Sequence, residues 1–124
     1  MITVVMPVYN EEKNILDTLT ALYGNTVVPE EVIVADGGST DNTVQLIKSH
    51  FPQVTIVDNP RKNAAAGRNE GIKKAQGDVI AFTDGDCIVD KHWIENISKA
   101  FSENEIDGLG GKVLIAPPIN HIEE

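Results

Sequence analysis

A chain of 124 residues is long enough for one domain, and 41% hydrophobic residues are enough to build a core, which argues against disorder. Ten Lys and Arg against 19 Asp and Glu give a net charge of −9, so binding of nucleic acid through a basic face is not expected. The single cysteine excludes an internal disulfide. No apolar run approaches the ~18 residues of a membrane span. From these two observations we expect a cytoplasmic protein.

The order of the apolar segments predicts alternating strands and helices. The strand segments are continuously apolar and rich in β-branched residues, which is typical of strands covered on both faces. This alternation predicts a three-layer α/β fold with a mostly parallel sheet, which binds ligands at the carboxyl ends of its strands. In chain order, the pattern predicts strand 2–6, helix 15–22, strand 32–35, helix 44–51, strand 54–57, helix 64–74, strand 79–82, helix 93–101 and strand 112–115.

Particular residues mark where these elements begin and end. Pro7 is expected to end the first strand, and the two glutamates that follow are expected to begin the first helix. Gly24 stands where the C-cap of that helix is expected. Either Ser39 or Thr40 is expected to cap the N-terminus of the second helix.

Two polar clusters follow the first two strands. The first, residues 7–12 with the sequence PVYNEE, fits either a ligand site or ordinary capping of a helix by acidic residues. The second begins with Asp36 at the tip of an apolar strand, where its carboxylate would be costly to desolvate without a partner. A base-edge N–H or a hydroxyl of a ligand would supply that partner. A tight turn with a capped helix would account for the two glycines and Ser39 but would leave Asp36 unexplained.

A third cluster, with the sequence TDGDC, follows the fourth predicted strand. Asp84 and Asp86, separated by one glycine, form a hard oxygen site suited to Mg²⁺ or Mn²⁺. A calcium-binding EF-hand is excluded because Val89 stands where that loop needs glycine, and a strand rather than a helix precedes the acidic pair. The two carboxylates are expected to raise the pKa of Cys87, which argues against a nucleophilic thiol.

The third predicted helix is rich in small residues, which permit close packing. Arg68 on this helix either contacts a phosphate or base of a ligand or is a surface arginine. The sequence contains no glycine-rich dinucleotide signature, no P-loop and no nucleophile elbow, so these three classes of site are unsupported.

Taken in order, VMPVYNEE, VADGGSTDNT, AAAGRNEGI and FTDGD resemble the motifs of family 2 glycosyltransferases with the GT-A fold. These enzymes are inverting and depend on a nucleotide sugar. The resemblance covers residues 2–90, nearly three quarters of the chain. It implies that Pro7, Tyr9 and Glu11 line the nucleoside pocket and that Asp36 accepts a hydrogen bond from the base, usually uracil.

The other motifs imply the rest of a donor site. Gly38 would let the backbone approach the nucleotide sugar, and Arg68 would lie near the base or the diphosphate. Asp84 corresponds to the position near the ribose and the metal, and Asp86 to the metal ligand that bridges the diphosphate. The implied cofactor is Mg²⁺ or Mn²⁺. The implied reaction moves a sugar from a UDP- or GDP-sugar to an unknown acceptor by a single inverting displacement.

The resemblance leaves the general base unassigned. In this family a carboxylate from the second half of the domain deprotonates the acceptor hydroxyl, whereas Glu123 and Glu124 have the character of a solvated tail. We therefore predict that residues 1–124 form a single domain, the donor-binding half, whose exposed apolar surface could drive self-association. A complete protein could lie at the inner face of the membrane.

Two alternatives stay open. One is a non-catalytic nucleotide-sugar-binding scaffold that lacks its own general base. The other is a nucleotidyltransferase on a related fold, which would need a glycine-rich basic loop after the first strand, where PVYNEE is acidic.

Overall fold

The computed structural model describes residues 1–104 and 113–115. Each element predicted from the sequence is present, close to its predicted bounds, so the alternation of strands and helices is confirmed. In chain order the elements are β1 (Ile2–Val8), α1 (Ile15–Tyr23), β2 (Glu31–Asp36), α2 (Thr43–His50), β3 (Thr55–Asp58), α3 (Ala64–Lys74), β4 (Val79–Phe82), α4 (Trp93–Asn104) and β5 (Val113–Ile115).

The described strands form one sheet in the order β3-β2-β1-β4-β5, and every pairing between neighbours is parallel. The central strand β1 is buried along its whole length. Val5 at its middle pairs with Ile33 on one side and Phe82 on the other. The predicted parallel sheet is therefore confirmed, and the central position of β1 explains why all its residues except Thr3 are apolar.

Different helices cover the two faces of the sheet. On one face, Val4 and Met6 of β1 belong to a core cluster that includes the apolar side chains of α1, α2 and α4. On the other face, Val5 belongs to a smaller cluster that Ile72 of α3 packs against. Successive side chains of a strand point to opposite faces, so this division gives the predicted three layers.

Small residues bring α3 very close to the sheet. A Cβ added to Gly71 would clash with the side chain of Val5, and one added to Gly67 would lie 2.9 Å from Cβ of Pro7. The interpretation of the small residues as a means of close packing is confirmed. This closeness brings the N-terminal half of α3, which carries Arg68, against the end of β1.

The first strand does not end at Pro7, as the sequence predicted, but runs on to Val8. Proline lacks the N–H that a strand would donate to its neighbour. The carbonyl of Val5 accepts a hydrogen bond from the N–H of Thr83, so the backbone groups of Val5 face β4. Because residues two apart in a strand direct their backbone groups to the same neighbour, the nitrogen of Pro7 faces the β4 side as well. Pairing with β4 stops at Val5 with Phe82, so the nitrogen of Pro7 lies beyond the end of that strand and costs no ladder hydrogen bond.

Two predicted helix starts are also corrected. The glutamates after Pro7 do not begin α1. They lie in a preceding turn, in which the Glu11 carbonyl accepts from the N–H of Ile15, and the N-cap is Asn14. The N-cap of α2 is Asn42, and not Ser39 or Thr40; the Ser39 hydroxyl donates to Asp36 instead. Gly24 is the C-cap of α1, as predicted.

Tyr23, at the end of α1, stacks on Phe51 at the end of α2, with ring centroids 5.6 Å apart and planes inclined by 13°. Burial raises the pKa of the Tyr23 phenol to about 12. In a Tyr9→Phe protein Tyr23 is the only tyrosine left, since the chain has two. We expect its phenolate absorbance to appear with a midpoint near pH 12 in the folded protein.

The same group gives stability a pH dependence of defined sign. The pKa of Tyr23 in the folded protein lies above its value of about 10 in the unfolded chain. The contribution of Tyr23 to the free energy of unfolding is therefore fully present below pH 10 and is lost as the pH rises towards 12. Titration of the Tyr9→Phe protein with and without denaturant measures both values. Equal midpoints in the two conditions would contradict the burial of the Tyr23 phenol.

Among the residues that the structure describes, none of the helices is both long enough and apolar enough to span a bilayer.

Candidate functional site

A cavity of about 340 Å³ opens at the carboxyl edge of the sheet, between the end of β1 and the turn after β4. The chain runs outwards from β1 to β2 and β3 on one side and continues with β4 on the other, and open α/β sheets bind ligands where the strand order reverses in this way. The cavity lies within the usual range of small-molecule sites. It brings together six residues singled out in the sequence: Pro7, Tyr9, Glu11, Arg68, Asp84 and Asp86.

A second cavity of about 210 Å³ contains the other two predicted site residues, Asp36 and Gly38. Asn59 and Lys62 line both cavities, so the two adjoin along the connection between β3 and α3. All the predicted site residues therefore lie on one edge of the sheet, but in two neighbouring cavities rather than in one.

The acidic pair after β4 has the chemistry of a cation site. Carboxylate oxygens of Asp84 and Asp86 and the Sγ atom of Cys87 lie within 4.8 Å of one another. The Nη2 atom of Arg68 lies 3.9 Å from Oδ1 of Asp84, and the guanidinium lies over the ring of Phe82, 5.9 Å from its centroid. Two carboxylates on a short turn fit Mg²⁺ or Mn²⁺, which complete their coordination with water and phosphate oxygens.

The turn that carries this pair is held against β1 and α1. The Thr18 hydroxyl of α1 donates a buried 2.9 Å hydrogen bond to the carbonyl of Gly85. A Cβ at Gly85 would lie 2.9 Å from Val8 and 3.0 Å from Cγ of Glu11, so the close approach of the turn requires glycine. The acidic pair thus has a fixed place beside the end of β1.

This approach gathers three carboxylates in one cavity. Burial raises the pKa of the Glu11 carboxyl, a hydrogen bond from Asn14 opposes the shift, and the charges of Asp86 and Asp84 add to it. Burial likewise raises the pKa of the Cys87 thiol, with a further contribution from the acidic pair. The direction predicted for Cys87 is confirmed, and the cavity has a local negative charge that favours a cation.

The turn after β2 corrects the interpretation of Asp36. Its carboxylate accepts hydrogen bonds from the N–H of Gly38 at 3.2 Å and from the hydroxyl of Ser39 at 2.6 Å, as well as from the N–H of Ser39. Gly38 adopts a φ of 87°, which side chains with a Cβ rarely tolerate. The turn therefore accounts for Asp36 as well as for the glycines, and a ligand is not needed to satisfy the carboxylate.

The connection after β1 is joined to the connection after β2 by hydrogen bonds. The N–H of Asn10 donates to the Ser39 hydroxyl at 2.9 Å, and the N–H of Thr40 donates to Oδ1 of Asn10 at 2.8 Å. The N–H of Glu11 donates to the Thr43 hydroxyl at 2.8 Å. These two connections, which we call the paired loops, form one wall of the site.

Sequence reasoning missed the contribution of the connection between β3 and α3. Asn59 is only 4% exposed. Its backbone N–H donates a hydrogen bond to the carbonyl of Asp36, and its Nδ2 donates one to the carbonyl of Asn63. Lys62 is exposed and lies between the cavities. The polar residues 58–63 could have predicted this contribution, because they directly follow the third predicted strand and so lie at the carboxyl edge of the sheet.

The expected tail with Glu123 and Glu124 lies outside the residues that the structure describes. The expected self-association stays a prediction.

Comparisons with known proteins agree with this architecture. The model of glycosyl transferase family 2 matches residues 3–120. The glycosyltransferase AglE of Haloferax volcanii is 32% identical over 123 residues, which cover 94% of this chain and 40% of AglE. The glycosyltransferase GlyG of Streptococcus pneumoniae is 32% identical over 115 residues, which cover 90% of this chain and 38% of GlyG. This chain thus spans about two fifths of the length of these relatives.

Solved structures show the same fold. The structure of residues 1–349 of S. aureus TarS in complex with UDP has a TM-score of 0.74 and 27% identity, and the match covers 84% of this chain and 32% of that one. The corresponding complex with UDP-GlcNAc has a TM-score of 0.72, with the same identity and coverage.

Proposed function

Because the chain belongs to glycosyl transferase family 2 and has the GT-A fold, we propose that residues 1–124 form the donor-binding part of a glycosyltransferase domain. The proposed donor is a UDP- or GDP-sugar. The observation that carries the proposal is the acidic pair beside Arg68, in a cavity at the carboxyl ends of β1 and β4. The UDP and UDP-GlcNAc complexes of TarS support the choice of a nucleotide sugar.

In this proposal the base of the donor lies towards Asp36, and the diphosphate lies towards Asp86. Pro7, Tyr9 and Glu11 would line the nucleoside part of the site, where they already border the cavity. Gly38, whose backbone borders the second cavity, would allow close approach of the base.

The diphosphate end would be held by charges of both signs. Asp86 and Asp84 would hold Mg²⁺ or Mn²⁺, and the cation, when bound, neutralises charge that develops on the departing diphosphate. The guanidinium of Arg68 can donate two parallel hydrogen bonds to phosphate oxygens. Without a cation the three carboxylates of the cavity would repel the diphosphate.

The proposed reaction is a single displacement that inverts the anomeric carbon. The acceptor hydroxyl oxygen forms a bond to that carbon while the bond to the diphosphate oxygen breaks, and the nucleoside diphosphate leaves with the electron pair. The hydroxyl proton passes to a carboxylate that acts as general base. We propose that this base belongs to a part of the domain beyond the donor site.

Calorimetry with UDP and GDP, in Mn²⁺ and in EDTA, tests the donor site. We expect binding in Mn²⁺ to be more than about tenfold tighter than in EDTA, because charge-assisted contacts to the diphosphate depend on the cation. Uridine, which has no diphosphate, serves as the control and should show no such dependence. Equal affinity for UDP in EDTA would contradict the metal contact, and failure of both diphosphates to bind would contradict the proposed function.

A further inference from the structure

Arg68 places a positive charge at the acidic pair after β4. Its Nη2 atom lies 3.9 Å from Oδ1 of Asp84, and elsewhere in the described part of the chain no basic group lies within 4.0 Å of Asp84 or Asp86. The guanidinium also lies over the ring of Phe82, 5.9 Å from its centroid, where the face of the ring attracts a cation. A side-chain cation therefore already lies beside the carboxylates that would hold Mg²⁺ or Mn²⁺.

The backbone of Arg68 is fixed, whereas its side chain has room to move. Gly67, the residue before it, lies so close to the sheet that an added Cβ would be 2.9 Å from Cβ of Pro7, so α3 cannot slide. The side chains of Arg68 and Asp84 are 39% and 49% exposed, and both line the cavity. Ion pairs as exposed as this one are weak, so the guanidinium can leave Asp84 at little cost.

A guanidinium and a divalent cation compete for the same carboxylate. Both are attracted by the oxygens of Asp84, and their like charges repel each other at short distance. A diphosphate changes this balance, because a guanidinium can donate two parallel hydrogen bonds to phosphate oxygens. The contact with Asp84, at 3.9 Å, is too long to be a hydrogen bond. A diphosphate in the cavity would therefore be a stronger partner for Arg68 than Asp84 is.

We propose that Arg68 is an exchangeable counter-ion, which neutralises Asp84 in the absence of a donor and passes to the diphosphate when a divalent cation occupies the acidic pair. The inference rests on the proposed function, because a diphosphate must receive the guanidinium. Its consequence is positive coupling between the two ligands. The diphosphate raises the affinity for the cation by drawing a like charge away from Asp84, and by linkage the cation raises the affinity for the diphosphate by the same factor.

Binding of Mn²⁺ without any nucleotide tests the first half of the exchange. Electron paramagnetic resonance of free Mn²⁺ measures the affinity of the wild-type chain and of each variant. In Arg68→Met, which keeps an apolar stem but lacks the charge, Mn²⁺ should bind about threefold more tightly, the effect of one exposed ion pair. In Arg68→Lys the positive charge remains, so the affinity for Mn²⁺ should stay close to that of the wild-type chain.

Calorimetry with UDP in Mn²⁺ tests the second half of the exchange. Arg68→Met should bind UDP about tenfold less tightly, the effect of losing hydrogen bonds between charged groups. Arg68→Lys, which keeps the charge but lacks the planar fork, should lose less. Opposite changes in Arg68→Met, a gain for Mn²⁺ alone and a loss for UDP, are specific to the exchange, because an arginine that only binds phosphate would leave the affinity for Mn²⁺ alone unchanged.

Arg61→Met is the matched control for the loss of one positive charge. Arg61 lines a separate depression beside Asn69 and Lys73, so both affinities should stay unchanged. Thermal unfolding of each variant identifies any loss of the folded state, and Arg68→Gln provides a second neutral variant. If Arg68→Met and Arg68→Gln bind Mn²⁺ no more tightly than the wild-type chain, or if Arg61→Met shows an equal gain, the exchange alone is overturned. Failure of the wild-type chain to bind UDP and GDP would overturn the proposed function together with it.

Discussion

Asp86→Ala should remove the gain in UDP affinity that Mn²⁺ provides, so binding in Mn²⁺ should weaken by about tenfold or more. The physical reason is the position of this carboxylate. It lies within 4.8 Å of the Asp84 carboxylate and the Cys87 sulfur, on a turn that borders the cavity. Its loss leaves a single aspartate on the turn to hold the cation. Calorimetry with UDP in Mn²⁺ and in EDTA measures the change.

Asp78→Ala is the control for the loss of one negative charge. Asp78 directly precedes β4, at the opposite edge of the sheet from the cavity, and its side chain is 88% exposed. This substitution changes the net charge by the same amount, so it should leave the dependence on Mn²⁺ intact. If Asp86→Ala retained that dependence, or if Asp78→Ala lost it to the same degree, the assignment of the cation to the turn after β4 would be wrong.

Gly71→Val should destabilise the fold by about 3 kcal/mol, the upper part of the range for overpacked cores. Even the first carbon of the new side chain would clash with Val5 at the centre of the sheet. Val5 is fully buried, so neither α3 nor β1 can yield without disturbing the smaller core cluster. A loss of this size is a large part of the total stability of an ordinary domain, about 5–15 kcal/mol. Urea unfolding monitored by circular dichroism measures it.

Ala65→Val on the same helix is the matched control. Ala65 is exposed, so the added methyl groups meet solvent and only the small difference in helix propensity remains, a few tenths of a kcal/mol. A loss below about 1 kcal/mol in Gly71→Val would mean that α3 can move away from the sheet, contrary to the close packing described above.

The order of the elements could be predicted from the sequence because buried strands and buried helix faces require apolar residues at characteristic spacings. The strand β1 is buried at every position, and its residues are apolar with the exception of Thr3, as that environment requires. The small residues of α3 likewise indicated a close approach, which the contacts of Gly67 and Gly71 confirm. The edge at which the polar clusters meet followed from the parallel sheet alone.

Hydrogen bonds within the loops could not be predicted in this way. The partners of Asp36 depend on the left-handed conformation of Gly38 and on the direction of the Ser39 hydroxyl, and apolar periodicity carries no information on either. The place of Lys62 depends on its own unusual φ, a conformation that a lysine in the sequence does not suggest. The sequence therefore predicted the edge of the sheet at which the candidate residues lie, while their division into two cavities became visible only with the loop geometry.

The paired loops have a consequence for the thermodynamics of binding. Their hydrogen bonds join residues such as Asn10 and Ser39 or Glu11 and Thr43, which lie 29 and 32 positions apart. These side chains are ordered by contacts within the chain, and ordering each flexible group costs about 0.5–1.5 kcal/mol. The same bonds need β1 and β2 to be side by side, so a partly folded chain lacks this wall altogether. Affinity at this edge is thus a property of the completed sheet, and it should be gained and lost together with cooperative folding.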